Sequence, residues 1–204
     1  MIALARRSGF AAVLGATLWA GGVGADLVHN TEDGSSILNL PLFLTYVGSM
    51  AIGTALLVAA LIGLRRLHRA EGAEVGRAGR VGFRVAIFGM STLVLFGVVY
   101  LVGGLITRET VEAAFLLFAL GFLALIVAQV PLAVGLRRGG LVGAGWVAPL
   151  AGVAAAVLAI TISADPYHDI GLFLFFGSWV ALGGAVLVRY AGRSSVPSEV
   201  SAWS

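Results

Sequence analysis

The chain lacks cysteine and lysine and is poor in charge of either sign. Without cysteine, disulfides, thiolate metal sites and thiol redox chemistry are excluded. Without lysine, a retinal Schiff base has no attachment point. Charged residues make up 11% of the 204 positions and hydrophobic residues 59%, with a mean hydropathy of +1.01. An ordinary soluble domain carries about 25% charged and about 45–50% apolar residues. A disordered chain, a nucleic-acid-binding domain and a typical soluble enzyme are therefore excluded, which leaves a polytopic membrane protein. The isoelectric point of about 10.0 reflects arginine gathered on one membrane face rather than a nucleic-acid partner.

What is present is a series of long apolar runs. Windows free of Asp, Glu, Arg and His cover 8–25, 34–64, 85–107, 113–136, 139–164 and 170–188. A helix needs about 20 apolar residues to cross about 30 Å of hydrocarbon, so each window suffices for one span and none for two. Period-2 alternation is absent, so a β-barrel is not supported. The fold class expected is all-α: a polytopic six-helix transmembrane bundle filling residues 1–188. Its helices run over about 8–28, 40–64, 85–107, 111–136, 141–163 and 169–188, and 189–204 form a disordered tail.

Orientation follows from arginine. Arg6, Arg7, Arg65, Arg66, Arg69, Arg77, Arg80, Arg84, Arg137, Arg138, Arg189 and Arg193 fall on one side of this scheme, and only Arg108 falls on the other. The positive-inside rule then places both termini in the cytoplasm. The first span has the Arg-Arg start and small-residue end of a signal peptide, but its apolar stretch exceeds the usual 7–15 residues. It also carries Ser8, Ala12, Ala16, Ala20 and Gly24 at four-residue spacing, a stripe suited to close helix packing in lipid. Retention of the first span is expected. Similar stripes run through Ala51, Ala55, Ala59 and Gly63, and through Ala144, Ala148, Gly152 and Ala156. Phe43–Arg66 and Phe115–Arg138 align without gaps, both ending Gly-Leu-Arg-Arg. The first two helical hairpins are thus candidate repeats, although apolar helices ending in basic pairs resemble one another by constraint.

The spans contain no ionisable residue. Intramembrane acids, arginines and histidines mark proton relays, ion paths and counter-ions, so their absence argues against a proton-coupled transporter and a haem protein with buried histidines. Gln129 stands two residues before Pro131, which frees a helix carbonyl. The pair is either a polar point in a substrate cavity or interhelical glue at a kink. On the outer face, Asp26-x-x-His29 and Asp165-Pro166-Tyr167-His168-Asp169 each contain Asp-x-x-His, which puts carboxylate and imidazole on one helical face. His29, His168, Asp26 and Asp169 could hold a divalent cation such as Zn²⁺. Capping by Asp165 ahead of Pro166, and acids suited to helix dipoles, explain much of the same pattern. Trp146, Tyr167 and Tyr190 fit lipid-interface belts, whereas Trp19 and Trp179 are deep enough to pack between helices.

Three segments carry a resemblance: Arg6-Arg7-Ser8-Gly9-Phe10-Ala11-Ala12-Val13-Leu14-Gly15, then Ala133–Gly139 leading into Trp146, then the Asp165-Pro166 turn. With the all-arginine basic set, the chain resembles the small uncharacterised six-helix integral membrane proteins of high-GC actinobacteria. That resemblance implies a bacterial plasma-membrane location and no particular activity. The function expected is a non-catalytic interaction, sensing or accessory component. One alternative is a small transporter or channel for an uncharged or lipophilic compound, which should show a polar cavity near the midplane. Another is an outer-face metal-binding enzyme or sensor, which should bring His29 and His168 together. No cofactor is expected beyond that possible divalent cation. Expected partners are membrane lipids, anionic headgroups at the Arg-rich loop 65–84, and a second copy or another membrane protein, with no nucleic acid.

Overall fold

The computed structural model describes residues 1–32, 40–107, 112–140, 142–161 and 167–193, with the side chains of 25–32, 40, 112, 167–169 and 193 outside the described set. The described residues form six helices: α1 (Ile2–Glu32), α2 (Leu40–Ala70), α3 (Gly76–Thr107), α4 (Glu112–Gly139), α5 (Val147–Thr161) and α6 (Tyr167–Arg193). A 3₁₀ turn over Gly143–Trp146 leads into α5. Among the described residues there is no strand. Five segments are long and apolar enough to cross a membrane: α2, α3, α4, α5 with its 3₁₀ turn, and α6. They mark the chain as membrane-embedded. Consecutive helices are neighbours throughout, and α6 returns to pack against α1.

In lipid, the hydrophobic effect cannot hold helices together, because the tails are as apolar as leucine. Close van der Waals approach must do so, and small residues allow it. Each main interface here is built that way. Between α1 and α2, Gly15 and Gly53 face each other so tightly that a Cβ on either would lie 2.5–2.6 Å from the other's carbonyl oxygen. Between α3 and α4, Gly79 opposes Gly135 and Gly89 opposes Gly121, while Gly82 lies against the backbone of Pro131 and Leu132. Ala12 meets Gly183 where α1 crosses α6, and Ala159 meets Gly171 between α5 and α6. Gly63 and Gly135, equivalent in the gapless alignment of the two hairpins, both lie where a partner helix comes closest. Gly63 receives Ser8, and Gly135 receives Gly79.

The stripe on α1 is an interface over its first three members: Ser8, Ala12 and Ala16 are buried, Ser8 against Gly63 of α2 and Ala12 against Gly183 of α6, while Ala20 is half-buried and Gly24 faces open space. The stripe on α5 is buried from Ala148 through Gly152 to Ala156. The α2 stripe is different. Ala55 and Ala59 are exposed, while its ends meet other helices, Ala51 against Gly97 and Gly63 against Ser8. In a chain this rich in alanine, four-residue spacing alone does not identify an interface.

The interior is crossed by a continuous run of rings. Phe43 meets Tyr100, Tyr100 meets Phe96, Phe96 meets Phe118, Phe118 meets Phe122, Phe122 meets Phe175, Phe175 meets Phe176, and Phe176 stacks on Trp19. Six of the seven pairs have centroids 5.0–5.8 Å apart, within the range in which aromatic pairs attract, and Trp19 stacks on Phe176 at 3.8 Å. The run ties α2, α3, α4, α6 and α1 together. Trp19 also donates from Nε1 to Thr54 Oγ1 at 2.8 Å, and that hydroxyl donates to Met50 O at 2.6 Å. The polar end of a buried indole is thereby satisfied inside the bundle.

The helix ends depart from the expected boundaries. Apolar length fixes only the membrane-crossing part, and Arg, Leu and Ala propagate a helix well in water too. α2 therefore runs on to Ala70 and α3 begins at Gly76, so the expected loop 65–84 shrinks to the five residues 71–75. Likewise α6 continues to Arg193, so 189–193 belong to a helix rather than to the tail. Residues 194–204 lie outside the described residues.

Candidate functional site

The reversal between α2 and α3 forms a charged recess. α2 ends in a Schellman arrangement: Ala73 N–H donates to His68 O at 3.0 Å and Gly72 N–H to Arg69 O at 3.2 Å, with Gly72 at φ +65°. Such a cap needs a residue free to adopt the left-handed region. Gly76, at φ +64°, starts α3. Its missing side chain also leaves room for Arg138 of α4, whose Nη1 would lie 2.9 Å from a Cβ placed there.

Beneath this turn lies a cavity of about 390 Å³ lined by Arg65, Arg69, Ala73, Glu74, Val75, Gly76, Arg80 and Phe83. Arg65 and Arg69 stand one helical turn apart on one face of α2. Arg80 comes from the beginning of α3. Phe83, fully buried, supplies an apolar wall. The lining charge is three guanidiniums against one carboxylate, Glu74. The N-terminal N–H groups of α3 open toward the same turn, where the helix dipole favours negative charge. Chemically, the recess is suited to an anion with an uncharged or hydrogen-bonding remainder.

Two buried polar groups brace this end. His68 sits one turn beyond Leu64 on the face of α2 that carries Leu57, Leu61 and Leu64, all buried. Its Nδ1 donates to Leu64 O at 2.8 Å, its ring meets Phe83 edge-on at 5.6 Å, and its Nε2 faces Gly139 without a hydrogen-bond partner. Tyr190 of α6 is equally buried and donates its hydroxyl to Glu71 Oε1 in the turn. The expectation that Tyr190 marks a lipid belt is thereby corrected: its ring is in the core, and it ties α6 to the turn beside the cavity. Trp146 is half-buried, and the Arg137 guanidinium lies 5.0 Å over its ring, a cation–π contact. Trp19 and Trp179 are buried between helices, as expected.

Gln129 is buried on α4, and neither its Nε2 nor its Oε1 has a hydrogen-bond partner. It faces the seam with α5 and α6, where its Nε2 and Ser178 Oγ flank the open side of Gly152. Ser178 Oγ instead donates to Phe175 O at 2.6 Å. Pro131 lies inside the unbroken α4 helix. The interhelical hydrogen bond expected of Gln129 is thus not made within the described residues.

Asp26 and His29 fall in the last turns of α1, and His168 and Asp169 in the first turn of α6. α1 and α6 run antiparallel, with Gly9 beside Gly183 and Trp19 on Phe176. That register brings both pairs to the same end of the bundle. Their side chains, and hence any convergence on an ion, lie outside the described residues. Among the described residues, no group of three metal-ligating side chains comes together.

Sequence reasoning named the arginines of this end as a group. It missed their grouping around one recess, and it missed His68. The available signal for His68 was its place in the 57–61–64–68 face; the Tyr190–Glu71 contact joins residues 119 positions apart and has no local signature. No family model matches the chain, and neither a curated protein nor a solved structure is similar to it.

Proposed function

We propose that the protein is a six-span component of a bacterial plasma membrane, with α1 as the sixth span and both termini cytoplasmic, acting in interaction, sensing or accessory work rather than in catalysis. The observation that carries this reading is the aromatic run from Phe43 to Trp19, which fills the interior where a transport path would pass. The feature shaped to receive something lies instead at the Arg-rich end. There the guanidiniums of Arg65, Arg69 and Arg80 would meet the anionic inner-leaflet surface. Each basic residue near such a surface contributes about 1 kcal/mol.

Two measurements test it. Alkaline phosphatase fused after residues 66, 138 or 193 should be inactive, and fused near residue 33 or 109 it should be active. An active fusion after Arg138 overturns the topology. In proteoliposomes, uptake of small uncharged solutes should equal that of empty vesicles, and faster uptake overturns the accessory reading. The transporter reading keeps one specific support, the unpartnered Gln129 amide in the α4–α5–α6 seam. If that reading is correct, Gln129→Leu should abolish the uptake.

A further inference from the structure

We propose that the recess between the ends of α2 and α3 is a binding site for a phosphoryl group, held by Arg65, Arg69 and Arg80, with Glu74 taking a hydroxyl or ammonium of the same ligand. The proposal deepens the sensing reading above by naming the chemistry sensed. Arginine's planar fork matches two phosphate oxygens at once, which a point charge cannot do. Here three such forks come from two helices whose relative position is fixed. The Schellman cap at Gly72, the left-handed Gly76 and the glycine contact of Gly79 with Gly135 set the geometry of the turn. Its volume of about 390 Å³ exceeds a bare phosphate, so the site takes a phosphate ester and part of what it is attached to.

Three further features fit. The recess is walled on one side by Phe83 and Val75, an apolar surface for the uncharged part of the ligand, while Arg69 and Arg80 stand exposed at its mouth where a ligand can reach them. The first N–H groups of α3, a helix of 32 residues, add donors and a favourable dipole. Arg138 stands over Gly76 and adds a fourth positive charge at the rim. The excess of positive charge selects a dianion over a monoanion, and so a phosphomonoester over a phosphodiester. The single carboxylate disfavours a ligand that is anionic throughout.

The phosphoryl group could belong to a lipid headgroup or to a soluble ester, and one experiment separates them. The full chain is placed in phosphatidylcholine nanodiscs, and binding of fluorescent phosphatidate is measured with and without glycerol 3-phosphate as competitor. Binding is expected, and Arg69→Gln or Arg80→Gln should weaken it by more than about tenfold. Arg77→Gln, exposed but outside the cavity, should weaken it by no more than the roughly fivefold expected of any basic residue at an anionic surface. Glu74→Gln should tighten binding of phosphatidate, which has no free hydroxyl for the carboxylate to hold, and should weaken that of glycerol 3-phosphate, which has two. Displacement by glycerol 3-phosphate at concentrations near those of the lipid assigns the site to soluble esters. Resistance to it assigns the site to the lipid.

Equal losses in Arg69→Gln, Arg80→Gln and Arg77→Gln overturn the proposal in favour of diffuse surface charge. So does the absence of binding to both ligands. Should the glutamine variants fold poorly, Arg69→Lys, which keeps the charge and loses the fork, decides: binding equal to the native protein overturns the site. Nanodiscs expose both faces, so a reversed topology or a transport activity would defeat the functional reading without altering this result.

Discussion

The tightest test of how the bundle is held is Gly15→Ala, with Gly53→Ala as its mirror. Each would place a Cβ 2.5–2.6 Å from the other glycine's carbonyl oxygen. That oxygen is part of a helix backbone and cannot swing aside. Restoring an ordinary carbon–oxygen contact of about 3.2 Å requires α1 and α2 to part by about 0.6 Å. A gap of that size forfeits about a quarter to a half of each dispersion contact across the interface. It would also stretch the 2.8 Å bond from Trp19 Nε1 to Thr54 Oγ1, which lies beside Gly53; hydrogen bonds between membrane helices contribute about 0.6 kcal/mol on average. Against this, alanine gains about 0.5–1 kcal/mol over glycine in helix propensity. Overpacking costs about 1–3 kcal/mol, so each single variant should lose about 1–2 kcal/mol net. The double variant should lose clearly less than the sum, because one parting relieves both clashes. Gly48→Ala and Gly177→Ala provide the contrast, since a Cβ at either meets nothing within 4 Å; these should be neutral or more stable. The measurement is reversible unfolding in mixed micelles, with far-UV circular dichroism as the readout. If Gly15→Ala and Gly177→Ala shift the transition alike, close glycine contact does not set the α1–α2 distance.

Three further outcomes follow from the same packing. Ala16→Leu, at a fully buried point of α1, should destabilise the bundle by about 1–3 kcal/mol, and the intact mass of the purified protein should include Met1–Ala25; a chain beginning at Asp26 refutes the structural role of α1. Tyr190→Phe should cost about 1.5–3 kcal/mol by removing the hydroxyl's hydrogen bond to the charged Glu71 carboxylate, while Glu71→Gln, which keeps an acceptor, should cost less in the same unfolding assay. Gln129→Leu should be neutral or stabilising by about 1 kcal/mol, because it removes a buried amide that has no partner; a loss above about 1 kcal/mol would show that the amide is satisfied by something bound in the seam.

The division between sequence and tertiary structure has a single physical source. Hydrocarbon thickness and the cost of an unpaired backbone group in lipid act on each segment separately. The helical character, the apolar lengths of α2 to α6 and the gathering of arginine at the helix ends were therefore readable from residues alone. So was the α1 stripe, because close packing leaves a mark in residue size. Rotation and register left no such mark. A helix face toward lipid and a face toward another helix are equally apolar, which is why Ala55 and Ala59 looked like an interface and are exposed. Where α2 stops and α3 starts was decided by Gly72 and Gly76 in the left-handed region, beyond the reach of any hydropathy window. Only the folded chain joins Tyr190 to Glu71 across 119 positions and sets Arg65, Arg69 and Arg80 around one recess, because helix–helix contact alone brings those residues together.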